Sequence, residues 1–175
     1  MYLIFSTSLS STSRSRMMAR AAARAFERAE LLHEFIDLVD WPLPDCDGAS
    51  CYRHPAVGSL AEKIRGADAV ALASPIYNYD VSASAKRLIE LTGRAWENKI
   101  VGLMAAAGGS SSFMSVMGFA NSLMLDFRTL IVPRFVFAAE DELGGDTWLD
   151  GKVQARIEGL ASEMHRLASA LRQAS

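Results

Sequence analysis

Residues 69–73 read AVALA and residues 100–106 read IVGLMAA, two short runs with no charged or polar side chain. Runs this short suit strands, and a strand with one face in water would alternate polar with apolar residues. Both runs therefore predict strands covered on both faces, as in parallel sheets packed between helices. Parallel strands need crossover connections, and helical spacing recurs between the apolar runs.

The remaining segments fall into the same alternation. Tyr2–Phe5 predicts a first strand, and Arg14–Arg28, rich in alanine, methionine and arginine, predicts a helix capped by the serines before it. Glu34–Val39 predicts a second strand whose mixed polarity suits an outer place in the sheet. Trp41–Pro55, with three prolines, two cysteines and a glycine, predicts a loop. A helix over Val57–Arg65, the central strand Ala69–Ala73, a helix over Ser84–Thr92 ended by Gly93, and the strand Ile100–Ala106 follow. Ser112–Phe127 predicts a further helix, Leu130–Ala138 the last strand with an edge or bulge at Pro133, and Lys152–Gln173 a long amphipathic helix. Five strands alternating with helices predict a three-layer α/β sandwich around a parallel sheet, in the flavodoxin-like order 2-1-3-4-5. A length of 175 residues predicts one domain over 1–175.

A formal net charge of −2 offers no general attraction to nucleic acid. The most apolar stretch, 113–125, is short for a membrane span and is broken by serine and asparagine, and Met1–Phe5 has no basic leader. The expectation is a cytoplasmic protein with neither nucleic-acid partner nor membrane insertion. Cys46 and Cys51 read either as ordinary loop cysteines or as a loop disulfide. With three scattered histidines they make no convincing zinc set.

In an open parallel sheet, ligands gather beyond the carboxyl ends of the strands. Three distinctive segments fall there. The first, STSLSSTSRSR at 6–16, joins strand one to the first helix. Hydroxyls and exposed amides at a helix start, with Arg14 or Arg16 as a cation, suit a phosphate. The stretch lacks the glycines of a P-loop or a GxGxxG turn and the cysteine of a thiolate phosphatase. The second, SPIYNYD at 74–80, offers backbone and aromatic surface to a planar ring. The third, AAAGGSSSF at 105–113, has two glycines that let a backbone approach closely and serines that can cap a helix. Each alone also reads as an ordinary connection. Together they describe a pocket for a phosphate at one end and a flat polar ring at the other, a description that FMN fits.

On these segments the chain resembles the NADPH-dependent FMN reductase family, a flavodoxin-like group that includes quinone, azo-dye and chromate reductases. Ser8, Ser13 and Arg16 match places in that family's phosphate loop. SPIYNYDVSASAKRLIEL is similar to its proline-tyrosine-asparagine loop and following helix, and the likeness runs over roughly residues 2–138. Two positions depart: Thr7 replaces the loop glycine, and Ser10 stands where an arginine is common.

The resemblance implies that Ser8, Ser10, Ser13, Ser15 and Arg16 hold the FMN phosphate. Pro75, Ile76, Tyr77 and Asn78 would meet the ribityl chain and isoalloxazine, and Gly108, Gly109 and Ser110 the ring's polar edge. It implies NADPH or NADH as reductant, a small-molecule electron acceptor such as a quinone or flavin, and a homodimer or homotetramer. The stretch 113–125 reads as an interface helix or as core. No side-chain nucleophile is required, and Asp80 and Asp126 read as polar contacts or surface acids. A tight FMN-binding electron-transfer or redox-sensing protein is the alternative, and a phosphate-binding domain without flavin is a third reading.

Overall fold

The computed structural model describes residues 1–144 and 148–173. The chain runs β1 (Tyr2–Ser6), α1 (Arg14–Arg28), β2 (His33–Asp37), α2 (Pro55–Gly66), β3 (Ala69–Tyr77), β4 (Asp80–Val81) and α3 (Ala83–Thr92). It continues with β5 (Ile100–Ala106), α4 (Met117–Phe127), β6 (Leu130–Ile131), β7 (Val136–Ala138), β8 (Leu143–Gly144), β9 (Trp148–Leu149) and α5 (Gly151–Gln173). The main sheet is ordered β2-β1-β3-β5-β6, with β7 continuing the β6 position along β5. All of these pairings are parallel. This is the flavodoxin-like order 2-1-3-4-5.

The two-residue period of the strands divides the core between the two faces. Leu3, Phe5, Val70, Leu72, Val101 and Leu103 pack with Leu60, Ile64, Leu88, Phe119 and Leu123 of α2, α3 and α4. Tyr2, Ile4, Ala69, Ala71, Ile100 and Met104 pack on the other side with Met18, Phe26, Ile157 and Met164 of α1 and α5. Gly102 lets α5 come close, since a Cβ there would lie 2.6 Å from Met164 Sδ.

Several boundaries differ from those read in the sequence, for identifiable reasons. The second strand stops at Asp37, whose carboxylate accepts from Val39 N–H and opens a 3-10 turn over Leu38–Asp40. The Trp41–Pro55 loop contains a 3-10 turn at Ser50–Arg53, and the next helix starts at Pro55 under a His54 cap. Both Cys46 and Cys51 are free thiols, so the loop disulfide is absent.

The helix expected over 112–127 splits. Ser110–Val116 is a 3-10 segment with Ser112 off helical geometry, and α4 begins at Met117. Serine side chains compete locally for backbone groups, and three in a row after two glycines do not sustain an α-helix. The last strand also splits, at Pro133 and Arg134, the latter at φ 61°. Among the described residues, no helix is long and apolar enough to cross a membrane.

Candidate active site

β3 outlasts its neighbour. Pairing with β1 ends at Ser6 opposite Ala73, whereas pairing with β5 continues through Pro75 opposite Ala106. Ala73 directs its carbonyl to Thr7 N–H on the β1 side, and Pro75, two residues on, faces the same way. The missing proline N–H thus points where β1 has already ended, so it costs no ladder bond. The extension to Tyr77 folds back antiparallel through β4, with Asn78 and Tyr79 at φ 50° and 65°. Two positive φ values in a two-residue hairpin are the signature of a type I′ turn. SPIYNYD is therefore a strand end and a hairpin rather than a free loop.

Opposite it, α1 starts at the serine loop. Ser13 caps the helix, its Oγ accepting from Arg16 N–H at 3.1 Å and lying 3.1 Å from Ser15 Oγ. Ser10 N–H donates to Ser8 Oγ at 3.3 Å. The N–H groups of Ser11, Thr12, Ser13, Arg14 and Ser15 find no acceptor among the described residues. The first turn holds two arginines and no acid, an arrangement that opposes the helix dipole and favours an anion there.

Between these elements lies a cleft of about 500 Å³, a volume in the range of small-ligand sites. Of the residues predicted for the site, Ser8, Ser10, Ser13, Ser15, Pro75, Ile76, Tyr77 and Gly108 line it. Thr12, Arg14, Ala106 and Ala107 line it as well. Ala106 and Ala107 are not legible as site residues in the sequence, because an apolar strand end carries no chemical signal. The signal for Arg14 was its place at the first turn. Gly109, Ser110 and Asn78 are exposed on the adjoining segments, outside the lining. Tyr77 and Tyr79 are more than half exposed.

Arg16 does not line the cleft. Its guanidinium is buried against the Asp37 carboxylate, with Nη1 donating to Ser10 O at 2.7 Å and Nη2 to Ser8 O at 3.0 Å. Arg14, which does line it, pairs with Glu140. Asp80 is engaged by Lys86 and by Val81 N–H. Asp126 lies in a separate hollow with Gly93, Arg94 and Phe127. Thr7 has no positive φ, so its position makes no demand for glycine.

The cleft lies at the carboxyl ends of β1, β3 and β5, with a donor-rich helix start at one end, where open α/β sheets of the flavodoxin-like kind place their ligands. Residues 2–143 match the NADPH-dependent FMN reductase family model. The chain belongs to that family. It is 29% identical over 105 residues to a probable NADPH:quinone oxidoreductase 2 of Oryza sativa subsp. japonica, covering 57% of this chain and 52% of that one. It is 29% identical over 111 residues to an NADPH:quinone oxidoreductase of Arabidopsis thaliana, covering 61% and 57%. The matched segments thus span little more than half the length of these relatives.

Among solved structures, an oxidoreductase of Corynebacterium diphtheriae superposes with a TM-score of 0.81 at 21% identity, covering 97% of this chain and 96% of that one. An NAD(P)H:(acceptor) flavoenzyme of Paracoccus denitrificans gives 0.73 at 16% identity, covering 94% and 97%. At these identities the likeness is one of fold.

Proposed function

We propose that this chain is an FMN-dependent NAD(P)H oxidoreductase that reduces a quinone, a flavin or a similar flat acceptor. The observation that carries this reading is the cleft, with unpartnered amides and serine hydroxyls at the α1 end and the Pro75–Tyr77 strand end at the other. A phosphate needs donors and a nearby cation, and the α1 end supplies both. The residues present therefore fit FMN.

In this reading Ser8, Ser10, Ser13 and Ser15 hold the phosphate with Arg14 beside them. Arg16 acts one step back, by holding the carbonyls of Ser8, Ser10 and Ser11 turned away from the anion. Pro75, Ile76, Tyr77 and Asn78 meet the ribityl chain and ring, and Gly108, Gly109 and Ser110 bring backbone to the ring's polar edge. FMN held there would supply the hydride chemistry that links NADPH or NADH to the acceptor. The chain's own part is to orient the ring, offer backbone donors to its carbonyls and present Tyr77 as a flat wall. Exposed Phe113, Met114, Met117, Met124 and Leu125 give the 3-10 segment and α4 an apolar face, which we read as the contact of a homodimer or homotetramer.

The test is the visible spectrum of FMN-reconstituted protein without oxygen, before and after one equivalent of NADPH or NADH. Rapid bleaching of the flavin band is expected, and the faster nucleotide identifies the donor. Tight binding with no bleaching by either nucleotide would replace the reductase with an electron-transfer role. Absence of binding would remove FMN from the site.

A further inference from the structure

Beneath the cleft, and outside its lining, lies a cluster of hydroxyls. Thr7 is fully buried, and its hydroxyl donates to Ala73 O at 3.1 Å while lying 3.1 Å from Ser82 Oγ. The Ser74 hydroxyl reaches Ser82 Oγ at 3.1 Å, and Ser82 N–H donates to Ser74 Oγ at 3.0 Å. Ser84 donates its hydroxyl proton to Thr7 O and lies 2.9 Å from Ser82 Oγ. Ser82 is thus the hub, and its Oγ also accepts from Ala85 N–H at the start of α3.

Two members of this cluster, Thr7 and Ser74, sit one residue from the two ends of the cleft. Ser8 follows Thr7, and Pro75 follows Ser74. The two ends are anchored unequally. Ser74 and Pro75 are held by the β3–β5 ladder, opposite Ala105 and Ala106. The serine loop lies past the end of β1, where Thr7 N–H to Ala73 O is the last backbone tie to β3. Beyond that bond, the Thr7 hydroxyl ties the start of the loop to Ala73 O and Ser82 Oγ, Ser84 holds Thr7 O, and Arg16 holds carbonyls further along the loop.

We propose that Thr7 and Ser82 are positioning residues whose hydroxyl pair holds the phosphate loop at a fixed spacing from the ring-side strand. The proposal rests on the FMN reading and gives the departure at position 7 a purpose. A glycine frees the backbone there, whereas this chain takes up ordinary backbone angles and uses the side chain as a tie. A buried hydroxyl that loses its partner weakens what it holds by about tenfold in an equilibrium constant.

The test compares FMN with riboflavin, which lacks the phosphate, by flavin fluorescence on the apoprotein, with thermal unfolding of each apoprotein measured alongside. In the wild type FMN is expected to bind more tightly than riboflavin. Thr7→Val keeps the shape and removes the hydroxyl. It is expected to weaken FMN about tenfold and riboflavin less than about twofold, shrinking the preference for the phosphate. Thr7→Ser restores the wild-type preference. Ser82→Ala gives the same selective loss, and the double variant loses less than the product of the two single effects because both break one tie. Should Thr7→Val fail to fold, Ser82→Ala carries the comparison.

Parallel losses for FMN and riboflavin, or an unchanged preference, would overturn the positioning role while leaving the flavin reading intact. A wild-type protein that binds neither flavin would overturn both.

Discussion

Arg16 commits its guanidinium inward, to Asp37 and to the carbonyls of Ser8, Ser10 and Ser11. Those carbonyls would otherwise be free to turn toward an anion and repel it. The side chains of the pair are only 10% and 11% exposed, so removing one partner leaves a poorly solvated charge. Arg16→Met is therefore expected to lower the free energy of unfolding by about 3 kcal/mol. Urea unfolding of the apoprotein checks this, and unchanged stability would contradict the structural role. Arg16→Lys should recover little, because one ammonium cannot match the fork that serves a carboxylate and several carbonyls at once. The sequence showed that an arginine belonged near this loop, and serine and arginine at a helix start were enough to suggest an anion. It did not show which way the arginine pointed, because the partner that draws it inward lies on β2, distant in the chain.

At the scale of elements, the β3–β4 hairpin has the backbone of a tight two-residue turn built with Asn78 and Tyr79. A tyrosine at φ 65° crowds its Cβ against the backbone, which costs roughly 1–2 kcal/mol. Tyr79→Gly is expected to raise apoprotein stability by about 1 kcal/mol, read as an increase in thermal midpoint. A fall in midpoint would mean that the ring has contacts whose loss outweighs the backbone relief. The helices and buried strands were legible because their apolar periods agree with their length. The hairpin was not, since proline and an Asn-Tyr pair both argue against a continuing strand. What permits it is the early end of β1, a tertiary fact. The split of the expected 112–127 helix has a local cause, since serines suited to capping a helix also compete for its backbone groups. The Pro133 break was visible too, though whether the chain resumes along the same neighbour depends on β5.

For the whole molecule, the exposed side chains on the 3-10 segment and α4 matter most. Leu125 is 76% exposed, and a lysine there would introduce charge into any self-contact without disturbing the core. Leu125→Lys is expected to shift sedimentation toward the monomer while leaving the thermal midpoint of dilute protein little changed. A wild type that sediments as a monomer at all concentrations would remove the contact.

The divided last strand bears on solubility. β6 rests on Ile100 and Val101, β7 on Met104 to Ala106, and nothing continuous lies between them. A neighbouring molecule seeking to extend the sheet there meets two stubs of two and three residues, too short to template a new strand. At the far side β2 carries Glu34 paired with Lys63 and Asp37 paired with Arg16. Short stubs at one border and charged side chains at the other are features that discourage edge-to-edge growth, so the break at Pro133 leaves the sheet less edge to offer a neighbour.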